Sequence, residues 1–237
     1  MPSHKLLPGS AAYAALMAGG ILIGAIFWYR RSQGQSHLLL IYLGALVGGF
    51  TGAKIAYLLA EGWLDWQQAD RWLRWATGKS VLGGLLGAYA GVEITKHLTG
   101  HNRSTGDAFA VIVPMGILLG RVGCYLNGCC LGKPRVGVFA ARDTHGIARW
   151  PASAVEGAFQ IGMLVAILLL QRHGLLRDRL FFLYLIAYGL FRFAHEFMRD
   201  TPKLFMGISG YQILALGMAV LGFVMLRQRT KSMLVRG

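Results

Sequence analysis

Tyr188, Arg192, Glu196 and Arg199 recur at spacings of four, four and three within an otherwise apolar stretch, so on a helix they form a single stripe. Phe191, Phe193, Phe197, Leu185 and Ile186 surround them. A polar stripe on an apolar helix looks inward. A guanidinium is always charged, presents a planar fork to phosphate oxygens, and at membrane depth attracts an anionic headgroup strongly because water does not compete. Glu196, one turn from Arg192, either holds that guanidinium in place for a ligand or simply neutralises it.

A second group runs from Gly120 to Lys133 and reads Gly-Arg-Val-Gly-Cys-Tyr-Leu-Asn-Gly-Cys-Cys-Leu-Gly-Lys. Its four glycines in thirteen residues predict that the chain leaves its helix here as a tight, backbone-exposing loop. Arg121, Asn127 and Lys133 surround that loop with donors suited to an anion. A third group, Gly78 to Gly87, includes Gly83, Gly84 and Gly87. Gly83 and Gly87 are four apart, a spacing that lets helices approach closely.

The elements that position these groups are membrane spans. Of 237 residues, 55% are hydrophobic and 14% charged, with mean hydropathy +0.49, whereas soluble domains carry about 25% charge. The 33 glycines are about twice the usual share near 7%, without a collagen period. Disorder, a disulfide-dense scaffold (three cysteines) and a water-soluble enzyme are all excluded. Apolar runs near 11–29, 38–60, 80–95, 107–123, 152–171, 180–198 and 207–226 predict an all-α bundle of seven transmembrane helices forming a single domain over 1–237. The net charge of +14 serves topology and anionic lipid rather than nucleic acid, since no basic soluble segment exists.

Short basic connections at Arg30–Arg31, Lys96–Arg103, Arg172–Arg179 and the C-terminal tail fall on one side, which the positive-inside rule makes cytoplasmic. The N-terminus and two tryptophan-bearing segments, Glu61–Lys79 and Gly123–Trp150, then lie outside. The first span reads as a signal anchor rather than a cleaved signal, its charges following the apolar run. Glu61–Lys79 reads as an amphipathic segment in the outer interface.

An ionisable side chain at mid-bilayer costs about 2.5–3.5 kcal/mol even on the lenient insertion scale. Lys54, Glu93, Asp107, Arg121, Glu156, Arg192 and Glu196 all lie in or at the ends of spans, so they must face a shared interior, paired or bound to a polar ligand. For Glu93 and Asp107, near the cytoplasmic ends, structural pairing is the expectation. For Arg121 and Arg192 it is a binding site.

Taken together and in this order, the three groups resemble the prolipoprotein diacylglyceryl transferase family. The family's central signature, Gly-Arg-Ile-x-Asn-Phe-x-Asn-Gly-Glu-x-x-Gly-Arg, is matched at Gly120, Arg121, Asn127, Gly128 and Gly132, with Lys133 for the last Arg. Its late signature, Tyr-Gly-x-x-Arg-Phe-x-x-Glu-x-x-Arg, is matched in full at Tyr188, Gly189, Arg192, Phe193, Glu196 and Arg199. Upstream, Gly52-Ala53-Lys54-Ile55-Ala56-Tyr57 is similar to Gly-Gly-Arg-Ile-Gly-Tyr, and Pro151 and Glu156 fit a His-Pro-Ser-Gln-Leu-Tyr-Glu stretch in outline. The likeness runs from about residue 40 to 225. Where the family has His-Gly-Gly this chain has Leu82-Gly83-Gly84, which removes an imidazole assigned to catalysis. Cys124 stands for Asn, Cys129 for Glu, Trp150 for His, Ser153 for Gln and Val155 for Tyr.

The resemblance implies transfer of the sn-1,2-diacylglyceryl group from phosphatidylglycerol to the thiol of a lipobox cysteine in a prolipoprotein signal peptide, with glycerol phosphate released and no cofactor or metal. On that reading Arg121, Arg192 and Glu196 are catalytic. Tyr188, Asn127, Lys54, Arg199, Gly83, Gly84 and Glu156 bind substrate, and the anionic phospholipid is the principal partner. The base is open, with Glu156 and the phosphate both eligible. Cys124, Cys129 and Cys130 become packing or disulfide residues. Two other readings stand beside this one. A membrane thiol oxidoreductase would use the cysteines, though adjacent cysteines pair poorly and no Cys-x-x-Cys is present; zinc is weaker still, His145 being the only nearby histidine. A lipid or anion transporter would use the same arginines but usually shows an inverted repeat, and none is visible.

Overall fold

The computed structural model describes residues 8–33, 35–143, 145–204 and 206–234. It is all-α, apart from two two-residue strands. In chain order the helices are α1 (Pro8–Ser32), α2 (Ser36–Ala60), α3 (Arg71–Thr77), α4 (Val81–Thr99), α5 (Gly106–Leu126), α6 (Ala152–Arg172), α7 (Leu180–His195) and α8 (Gly210–Leu234). Strands β1 (Ala141–Arg142) and β2 (Ala148–Arg149) pair antiparallel between α5 and α6. Among the described residues six helices are long and apolar enough to cross a membrane, and α4 is not one of them. Glu93, Lys96 and His97 in its C-terminal half lower its hydropathy. Six of the seven expected spans meet that description, and the chain is a multi-pass membrane protein.

Two boundaries differ from the sequence expectation. The helix expected to break across Gly120–Gly132 continues to Leu126 as α5. Gly123 serves packing rather than a turn, since a Cβ there would press on the Tyr13 ring of α1 at 2.8 Å. The stop comes one turn later, where Gly128 adopts φ +60°. Its amide donates to Tyr125 O at 3.1 Å and the Cys129 amide to Cys124 O at 3.0 Å, a paired closure that needs a left-handed residue. At the other boundary, α7 ends at His195 and a 3-10 turn covers Glu196–Met198. Pro202 soon after prevents the helix from continuing. Arg199 therefore lies past the helix rather than on the stripe.

The chain forms two compact units. One comprises Met1–Ile26, Thr105–Tyr184 and Phe197–Asp200. In it α5 packs along α6, and Asp107 in the first turn of α5 accepts from the amides of Asp178 (2.7 Å) and Leu180 (3.2 Å), capping the start of α7. The structural role expected of Asp107 is the one it has. The excursion between α5 and α6 is stapled by Arg149, which reaches Asp143 at 2.7 Å and Asp200 at 2.8 Å. The bond from Arg149 holds the Asp143 carboxyl below the usual carboxylate range, with the amides of Ile147 and His145 adding to it.

The other unit comprises Phe27–Ser104, Leu185–Glu196 and Thr201–Gly237, and its centre is the α2–α4 pair. Gly44, Gly48 and Gly52 on α2 meet Gly91, Gly87 and Gly83 on α4 so closely that a Cβ at Gly87 would collide with the Gly48 carbonyl, and one at Gly83 with Ala56. Two backbones in contact leave no room for a side chain. Gly87→Leu is accordingly expected to destabilise the fold by about 1–3 kcal/mol or more, read as a lowered melting midpoint of purified protein. An unchanged midpoint would show that these helices separate without cost. Glu93 pairs with Lys96 at 3.0 Å on an exposed face, again a structural role.

Candidate active site

The central arginine of the second group, Arg121, sits in the last turns of α5, buried, with Nη2 2.9 Å from Glu156 Oε1. Glu156 is fully buried on the first turns of α6. Its other oxygen faces Arg199 Nη1 at 3.9 Å. One buried carboxylate thus serves two guanidiniums. A turn farther along α6, Gln160 Oε1 accepts from Tyr184 OH at 2.9 Å. Arg199 is brought in through the backbone, because Gly132 pairs with it in an isolated bridge and the Lys133 amide donates to Met198 O at 2.9 Å.

The same approach accounts for Gly132. A Cβ at this position would meet Met198 O and Trp150.

Next to Arg121 the helix closure at Gly128 brings the cysteines together. The Sγ atoms of Cys124, Cys129 and Cys130 all lie within 4.8 Å of one another. All three are free thiols, Cys124 buried and Cys130 exposed. The sequence expectation of packing or disulfide residues does not include this three-way convergence. Hydrogen bonds from the Cys124 and Cys129 thiols hold the Cys130 thiol well below its ordinary value, and Arg121 and Arg199 add to the effect. Asn127, which caps α5, lies beside the Cys129 sulfur.

In the other unit Arg192 Nη2 donates to Glu196 Oε2 at 2.8 Å, both groups buried in the last turn of α7 and the turn after it. Thr201 Oγ1 donates to Glu196 Oε1 at 2.7 Å and Lys203 Nζ to the Glu196 carbonyl at 3.0 Å. Both carboxylate oxygens of Glu196 are therefore bonded, which fixes the plane in which Arg192 is held. Tyr188 is fully buried one turn before Arg192 and stacks on Phe191, which in turn stacks on His195. Thr201, Lys203 and His195 fall outside the sequence expectation. Only the short spacing of Thr201 and Lys203 from Glu196 points to them.

Lys54 has another task besides supplying positive potential. Its ammonium donates to the carbonyls of Trp75 (2.8 Å), Gly78 (2.9 Å) and Ala76, tying the C-terminal end of α3 to α2. A cation at those carbonyls is favourable because they are the negative end of a helix. The segment it holds is the amphipathic one, a 3-10 turn at Gly62–Asp65 followed by α3, with Trp63, Trp66 and Trp72 exposed. Tyr57 OH to Asp65 (2.8 Å) and Trp75 Nε1 to Gly62 O (2.7 Å) anchor it from within. Arg74 holds the Asp70 carboxyl below its usual range. Gly83 sits in the α2–α4 contact and Gly84 beside it, where an added Cβ would meet Gly49 and Ala53 only at ordinary contact distance. Leu82, in the place of the family histidine, is buried and holds no titratable group. The Ser80 hydroxyl caps α4 by accepting from Gly83 N.

The comparison with known proteins agrees with the signatures. The profile of the prolipoprotein diacylglyceryl transferase family matches residues 10–227. A phosphatidylglycerol–prolipoprotein diacylglyceryl transferase of Methylococcus capsulatus is 33% identical over 78% of this chain and 73% of its own length. One from Rhodospirillum rubrum is 29% identical over 95% and 90%, and one from Clostridium tetani 27% over 81% of each. With a profile match across nearly its whole length and buried arginine–carboxylate pairs at both signatures, this chain belongs to the prolipoprotein diacylglyceryl transferase family.

Proposed function

We propose that this chain is a membrane transferase that moves the diacylglyceryl group of phosphatidylglycerol to the cysteine thiol of a prolipoprotein and releases glycerol phosphate. The observation that carries it is the pair of buried guanidiniums, Arg192 against Glu196 and Arg121 against Glu156, in a family whose relatives bear that activity in their names. In a low-dielectric surrounding, a fixed guanidinium stabilises charge growing on a phosphate as the carbon–oxygen bond breaks, and it does so without reorganising. Arg121 and Arg192 each offer a buried, preorganised guanidinium to a phosphate. Glu196, held by Thr201, orients Arg192, and Glu156 orients Arg121 and Arg199. Tyr188 lines the path of the lipid, Asn127 and the glycines Gly83 and Gly84 shape the substrate surroundings, and Lys54 fixes the interfacial segment through which lipid enters.

The chain lies in a bacterial cytoplasmic membrane with its N-terminus outside, α4 completing seven spans. The positive-inside distribution supports that orientation. Purified protein in phosphatidylglycerol vesicles, given a lipobox peptide, should raise the peptide mass by one diacylglyceryl group with glycerol phosphate in equal amount. Lipid exchange between vesicles without a peptide product would instead identify a transporter.

A further inference from the structure

Resting on the transferase reading, we propose that Cys124, Cys129 and Cys130 form a three-thiolate Zn²⁺ site whose open fourth position binds and activates the acceptor thiol. The chain otherwise lacks a group at Leu82 able to take the proton from that thiol.

The geometry is set by the end of α5. The closure at Gly128 brings the residue three before the helix cap against the residue two after it, here Cys124 and Cys129. Cys130 follows in the left-handed conformation, φ +58°, which turns its sulfur back onto the other two instead of away from them. All three sulfurs lie within 4.8 Å of one another. Tetrahedral zinc with Zn–S near 2.3 Å places its sulfurs about 3.8 Å apart, so only small side-chain adjustments are needed. A disulfide would use two of these sulfurs and leave the third idle. Among the described residues no other His, Cys, Asp or Glu joins the group. Three protein ligands and one vacant position is the arrangement of a catalytic zinc rather than a structural one. Three thiolates on Zn²⁺ carry one net negative charge, and Arg121 and Arg199 are the cations beside them. Burial of Cys124 and exposure of Cys130 leave access from the Cys130 side.

The step balances. The acceptor thiol binds zinc as thiolate and its proton goes to water. A sulfur lone pair forms the bond to the glycerol carbon while the carbon–oxygen pair passes to the phosphate, and the thioether, a poor ligand, leaves the metal.

The test uses full-length protein, reduced and stripped by a chelator, then titrated with Co²⁺ or Zn²⁺. One equivalent of Co²⁺ should bind with sulfur-to-cobalt charge-transfer absorption, a lipobox peptide should shift that spectrum, and Zn²⁺ should displace the cobalt. Cys130→Ser, at the exposed ligand, should weaken binding at least tenfold. Peptide modification should rise about 10²-fold or more on loading the same stripped preparation. No metal uptake by the reduced protein, or equal uptake after all three cysteines are changed to Ser, overturns the site. Uptake with equal turnover in stripped and loaded protein overturns its role and leaves the transferase standing. Uptake and a peptide-shifted spectrum with no transfer in either state overturn the transferase reading and the catalytic role built on it, while the metal site remains.

Discussion

Arg192→Ala is expected to lower diacylglyceryl transfer by about 10²–10³-fold or more, the usual loss when a preorganised donor to developing charge is removed. The side chain is buried, and Glu196 is held on it from one side and on Thr201 from the other. That arrangement leaves the guanidinium almost no rotational freedom to lose when the phosphate arrives. Arg192→Lys keeps the charge but replaces a rigid fork by a point charge on a flexible stem, so it should restore the melting midpoint further than it restores turnover. A structural ion pair alone would give the opposite pattern, with turnover recovering in step with stability. Binding of phosphatidylglycerol, followed by retention on vesicles or by ligand-induced stabilisation, should fall with turnover in the Ala variant.

Glu156→Ala carries the largest expected effect on stability. It removes a buried carboxylate that faces both Arg121 and Arg199, and taking away one member of a buried ion pair costs about 3–5 kcal/mol. For a chain of this size that lowers the melting midpoint by about 10 °C or more. Glu156→Gln keeps a hydrogen-bond acceptor and should lose less. If Glu156→Ala melts with the parent, Arg121 has its stabilising charge elsewhere and the assignment of this cluster is wrong.

The family signatures make the arginine–carboxylate pairs legible in the sequence. Arg192 lies in the last turn of α7 and Glu196 four residues on, in the 3-10 turn that continues it, so their contact follows from the helical repeat. Arg121 and Glu156 are 35 positions apart, and only the motif likeness suggests that they belong to one site. The α2–α4 contact is legible from one side only: Gly83 and Gly87 announce a close approach, but the partner glycines on α2 do not announce which helix they will meet. Glycines are also where sequence and structure part most clearly. Gly120 and Gly123 predict a loop by their density, whereas in an apolar helix a missing Cβ equally well admits a neighbour such as Tyr13. The helix end that follows is hidden for a second reason, because the closure at Gly128 is a backbone event. Given that closure, the meeting of Cys124 with Cys129 follows from it, and spacing rules for metal ligands, which look for Cys-x-x-Cys or a paired histidine, pass over it.

Lys54 shows the converse. Its position in a span suggests a phosphate ligand, while the three carbonyls it meets belong to a segment more than twenty residues away.

The central claim is that a phosphate leaves carbon. Phosphatidylglycerol labelled with ¹⁸O at the oxygen bridging the diacylglycerol carbon and phosphorus tests it most directly, with a lipobox peptide as acceptor. The account predicts that the label appears in the released glycerol phosphate and that the peptide product gains a diacylglyceryl thioether free of it. Label retained on the diacylglycerol portion, or glycerol phosphate released without a modified thiol, would contradict it.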